Sequence, residues 1–137
     1  MTWAELRRDL VIVVCAISAG IHGALAPGHF AAGTGPGTGF AASTVALAAL
    51  AVAVTLRPAS TLALTAALAT LVGLLVAYGL AITIGVPVLH PEPERIDGLA
   101  LATKAIELVG VLAAWSLVRR SSVALIDNPH LKGTSTT

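Results

Sequence analysis

Four long apolar stretches, almost free of charge, take up most of the chain and decide what it can fold into. They run over 10–26, 39–56, 61–84 and 99–118. Each is near or above the ~17–25 residues that an α-helix needs to cross the hydrocarbon core of a bilayer. The chain therefore reads as a polytopic membrane protein: an all-α, four-helix transmembrane bundle whose solvent is lipid. Composition agrees. Charged residues make up 11% of the 137, and a soluble domain carries about twice that share. Mean hydropathy is +0.90.

The same numbers limit the partners. A net charge of +1, with no basic patch, excludes nucleic acid and leaves the lipid bilayer as the first partner. Four spans leave only short connections, so 1–120 forms one transmembrane domain and 121–137 a polar cytoplasmic tail, disordered at its end. Cys15 is the only cysteine. It rules out an intrachain disulfide and, in the middle of the first stretch, reads as a small buried hydrophobe. Arg7 and Arg8 before that stretch, and Ala24-Leu25-Ala26 near its end, imitate a cleaved leader. Pro27 directly after the cut and His22 inside the segment favour a retained span.

Orientation follows from the placement of arginine and lysine. With four spans, Arg7, Arg8, Arg57, Arg119, Arg120 and Lys132 fall on one side, and the other side has only Arg95 in its loops. The positive side is cytoplasmic, giving N-in and C-in, with a short inner loop over 57–60 and two longer outer loops over 27–38 and 85–98. Pro58 marks the inner turn. Ser60 or Thr61 caps the third helix, and Asp97 the fourth. The first outer loop is rich in Gly and Pro and reads as flexible. In the second, Pro87, Pro91 and Pro93 stiffen the chain. Small residues recur every four positions as Ala69, Gly73, Ala77 and Ala81, and at the same period, interrupted by Ile106, as Gly98, Ala102, Gly110 and Ala114; the second stretch has Ala42, Ala46, Ala49 and Ala53. Such rows let backbones approach in lipid and read as packing faces.

The polar residues are one-sided. Counted at ~1.5 Å per residue from the outer ends of the helices, His22, Ser43, Tyr78, Lys104 and Glu107 all fall in the outer half of the membrane. The outer loops add His29, His90, Glu92, Glu94 and Asp97. The cytoplasmic half is nearly free of such groups. A bundle of these helices has a polar funnel outside and a dry plug inside, and the candidate pocket is His22, Tyr78, Lys104 and Glu107. Lys104 and Glu107 are the costliest to place. Intramembrane charges face protein or water and find a partner, and three residues apart on a helix they are neighbours. Their pairing serves structure alone or a ligand equally well on this pattern. His22 shares a helix face with Cys15 and Ser18, as a hydrogen-bonding core residue or as a ligand.

Metal chemistry has a weaker basis. His22, His29, His90, Glu92 and Glu94 could gather at the outer surface, and imidazole with carboxylate suits Zn²⁺, Cu²⁺ or Ni²⁺. No tight ligand spacing supports this, and a solvated loop is the simpler account of the outer residues. A haem between two imidazoles would need His22 to meet His29 or His90. Trp3, Trp115, Phe30 and Phe40 read as interfacial aromatics. No phosphate loop, CxxC pair, nucleophile triad or dinucleotide fingerprint is present, which disfavours an enzyme.

Two segments carry a resemblance. Ile21-His22-Gly23-Ala24-Leu25-Ala26-Pro27-Gly28-His29-Phe30, and the stretch from His90-Pro91-Glu92-Pro93-Glu94 through Asp97-Gly98 to Lys104-Ala105-Ile106-Glu107, resemble small four-span membrane proteins of high-GC actinobacteria. The resemblance implies a bacterial plasma membrane and assigns no activity. Three functions remain open at this level: a structural or accessory subunit of a larger membrane complex or homo-oligomer, an outward-facing site for a metal ion or haem built on His22, or a component of an oligomeric transporter or channel.

Overall fold

The computed structural model describes residues 1–85 and 96–126, the last six as backbone only. Among them are four helices, α1 (Trp3–Ala32), α2 (Thr34–Leu56), α3 (Thr61–Thr83) and α4 (Gly98–Ile126), and no strand. All four are long and apolar enough to cross a membrane. The protein is thus a multi-pass membrane protein and a four-helix bundle. α1 packs on α2 and α4, and α3 closes the ring through α4 and α2.

Local chemistry explains most helix ends. Thr2 and Glu5 form a capping box: the Glu5 carboxylate accepts from the Thr2 amide at 2.6 Å, and the Thr2 hydroxyl accepts from the Glu5 amide at 3.2 Å. Ser60 caps α3 by accepting from the Ala63 amide at 3.2 Å. Asp97 does the same for α4 through the Ala100 amide at 2.7 Å. Between α2 and α3, Arg57 to Ser60 make the short turn around Pro58.

The first connection departs from the sequence reading. The Gly- and Pro-rich composition of 27–38 predicts a flexible loop, yet α1 runs through Pro27 to Ala32 and α2 begins at Thr34. Gly33 alone links them. Proline removes a single amide donor from a helix, and in a membrane bundle the neighbouring helices keep the chain helical around it. Pro36 lies in the first turn of α2, where amides lack intrahelical partners anyway. The corner closes because position 37 is glycine: a Cβ there would overlap the Phe30 ring and come within 2.7 Å of the Phe30 Cα. At the other end, α4 continues to Ile126, past the boundary expected at Arg120.

The packing faces also differ from the expected small-residue rows. On α2 the buried residues are Gly37, Leu47, Ala51 and Val54; on α3 they are Ala63, Leu64, Ala67 and Leu71. Ala42, Ala46, Ala49, Ala69 and Gly73 are exposed toward the surroundings. Only the second half of the α4 row, Gly110 and Ala114, is buried. The lipid-facing sides of these helices are apolar like their buried sides on α2 and α3, so small residues sit on lipid faces at no penalty. The core itself is apolar: Val11, Val14, Cys15, Leu47, Val54, Leu64, Leu71 and Leu117 meet in one cluster.

Candidate functional site

Above that apolar core, toward the α1–α2 corner, all four helices contribute to one polar cluster. α1 supplies Ser18, His22 and His29, spaced four and seven residues apart and so on one stripe. α4 supplies Thr103, Lys104 and Glu107. α3 adds Tyr78, and α2 adds Phe40 and Ser43.

Glu107 is the hub. Its side chain is fully buried, and both carboxylate oxygens are engaged. The Ser18 hydroxyl donates to Oε1 at 2.7 Å, and the Lys104 ammonium donates to Oε2 at 2.7 Å. Lys104 also lies 5.6 Å from the centroid of the Tyr78 ring, within cation–π range. One connected set of contacts therefore ties α1, α4 and α3 together, with a charge-assisted bond at its centre.

The imidazoles are held by their own helix. His22 Nδ1 lies 2.9 Å from the Ser18 carbonyl, and His29 Nδ1 lies 3.1 Å from the Leu25 carbonyl. A carbonyl only accepts, so Nδ1 carries a proton in each ring, and in the neutral imidazole Nε2 then keeps a lone pair. Both rings rest on Phe40. The centroid of His29 is 3.6 Å from that of Phe40, in a stacked arrangement, and that of His22 is 5.2 Å away, tilted by 36°.

These groups surround a cavity of about 350 Å³. Its walls are mostly apolar, with Ile21, Leu25, Phe40, Leu74, Ala77 and Leu99 among them. The polar lining is His22, His29, Ser43, Tyr78, Asp97, Thr103 and Lys104. Ser43 and Thr103 spend their hydroxyl protons on their own helix, on the Gly39 and Leu99 carbonyls, each at 2.8 Å. Among the described residues, the buried Tyr78 hydroxyl has no hydrogen-bond partner. Such an orphan is unusual in a folded protein.

Of the residues singled out from sequence, His22, His29, Tyr78 and Lys104 line this one cavity. Glu107 lies behind it, bonded to Lys104. His90, Glu92 and Glu94 lie outside the described residues. Among the described residues no group of three or more His, Cys, Asp or Glu is placed to hold a metal ion. Two participants are missed by sequence reasoning. Ser18 stands out there only for sharing the His22 face, whereas it bonds across to Glu107. Phe40 reads as an interfacial aromatic, whereas it is the platform for both imidazoles. Only the tight Gly33 corner brings Phe40 there, and no local pattern announces it. Compared with protein-family models, curated proteins and solved structures, the chain matches none of them.

Proposed function

We propose that this is a small accessory protein of a bacterial plasma membrane that holds a small organic molecule in its four-helix cavity. The observation that carries this reading is the convergence of all four helices on one largely apolar cavity with a few placed polar groups. That is the usual make-up of a small-molecule site, and about 350 Å³ falls in the range such sites occupy. Among the described residues no group of three His, Cys, Asp or Glu is placed to hold a metal ion, and the mostly apolar wall favours an organic ligand. A conducting role has less support, because the other half of the bundle is filled by the apolar cluster around Val11, Leu47, Val54, Leu64 and Leu117.

Ala77 lines the cavity, and Ala77→Phe should fill it. Protein purified in mild detergent is expected to release a small organic molecule on solvent extraction, and Ala77→Phe is expected to reduce that yield at least tenfold. Equal extracts from the two proteins would remove the binding reading.

We further propose that both termini are cytoplasmic and that the cavity opens to the outside. Arg7, Arg8, Arg57, Arg119 and Arg120 lie at the bundle end opposite the cavity, which supports this orientation. A cysteine in place of Glu94, in a Cys15→Ala background, should react with an impermeant thiol reagent on intact cells. Reaction only after the cells are broken would reverse the topology.

A further inference from the structure

Building on the cavity reading above, we infer that the ligand is a neutral, lipid-soluble hydrogen-bond donor, of the alcohol or phenol class. The cavity wall is rich in acceptors. His22 and His29 line it with Nδ1–H turned back onto the Ser18 and Leu25 carbonyls, which leaves Nε2 of the neutral imidazole as a lone pair. Ser43 and Thr103 line the same space with their protons committed to the Gly39 and Leu99 carbonyls. Their hydroxyl oxygens therefore offer lone pairs as well. Asp97, at the cavity rim, is a carboxylate and accepts only. The donors on the wall are fewer. Lys104 has one of its protons already on Glu107, and the Tyr78 hydroxyl is buried out of the cavity's reach.

A ligand that only accepts would leave these lone pairs desolvated, at a loss of binding. A ligand that donates satisfies them. Charge then separates two donor classes. An organic ammonium would suit acceptors and aromatic faces, but the Lys104 ammonium lines the same cavity and already occupies the neighbourhood of the Tyr78 ring. A second cation would meet it with compensation only from Asp97 at the rim, itself engaged by the Ala100 amide, because the Glu107 carboxylate is fully buried behind Lys104 and engaged by it and by Ser18. A neutral hydroxyl donor on an apolar body fits both the acceptors and the walls.

The test uses the full chain in nanodiscs, with empty nanodiscs as the blank, and three probes of similar shape: 4-butylphenol, 4-butylanisole and 4-butylbenzylamine. The phenol should bind about tenfold tighter than its methyl ether, the difference that about 1.4 kcal/mol makes. The ammonium probe should bind more weakly than the phenol. In His22→Phe or in His29→Phe the preference for phenol over ether should fall at least threefold. The half-buried His29 site provides the reading if His22→Phe does not fold. Equal binding of phenol and ether, tighter binding of the ammonium, or an unchanged preference in both variants would overturn the inference and leave the cavity reading standing. Binding of none of the three probes would remove the cavity reading itself.

Discussion

Lys104→Met on its own is expected to destabilise the bundle by about 3 kcal/mol, and Lys104→Met combined with Glu107→Gln by clearly less. The side chain of Glu107 is fully buried and that of Lys104 is 16% exposed. With lysine gone, the carboxylate keeps only the Ser18 hydroxyl and must remain as a lone buried charge or take up a proton. Either outcome is costly in a low-dielectric interior. Glu107→Gln is the milder single change, because Lys104 has a partly open path along which its ammonium can move toward water. In the double variant no charge is left, and the new side-chain amide can still accept from Ser18. The measurement is unfolding of all four proteins in mixed micelles, read as a double-mutant cycle. Additive losses would show that the two side chains act independently, against the 2.7 Å bond between them.

The other large effect is expected at Gly110. A Cβ at this position would come within 2.6 Å of Val14 Cγ1 on α1 and 2.9 Å of Leu71 Cδ1 on α3. Gly110→Ala is therefore expected to destabilise the protein by about 1–3 kcal/mol, the usual range for overpacking. The Leu71 methyl ends a flexible side chain and can swing away. Val14 is β-branched, nearly confined to one rotamer in a helix, and buried, so it must move with its backbone. Val14→Ala in the Gly110→Ala background should recover most of the loss. Gly73→Ala is the control: nothing lies within 4 Å of its added methyl, and alanine is the better helix former, so stability should hold or rise slightly. Equal effects at Gly110 and Gly73 would mean that α4 does not approach α1 as closely as the fold requires.

These two glycines show where sequence reading stops. Both belong to four-residue rows of small side chains, and both rows read as packing faces. One residue is wedged between two helices and the other faces outward. In water, an apolar stripe against a polar face would tell them apart, since burial is what sorts the residues. In lipid that contrast disappears. α2 and α3 are apolar nearly all round, and Ala42, Ala49 and Gly73 are as comfortable outside as Leu47 and Leu71 are inside. The Gly33 corner escapes for a related reason. Gly and Pro between apolar runs signal a loop when water can hydrate the opened backbone. Where it cannot, the helix persists through Pro27. Phe40 is misplaced as a consequence, because its approach to His22 and His29 depends on that corner.

Polar residues were more legible than apolar ones, and the cause is energetic. Hydrophobicity over ~20-residue lengths determined from sequence alone that the chain makes four membrane-spanning helices. The high cost of charge in lipid, together with helix geometry, determined that Lys104 and Glu107 would pair. The caps at Ser60 and Asp97 were equally local. The tertiary structure decided everything that requires two helices at once: which face each helix turns inward, the bond from Ser18 to Glu107, the stacking of His29 on Phe40, and the acceptor-lined cavity among the four helices. A span is specified by the free energy of its own residues in lipid, which is a local quantity. The partner of a face is specified by side-chain fit between apolar surfaces of nearly equal transfer energy, and that information exists only once the helices are in contact.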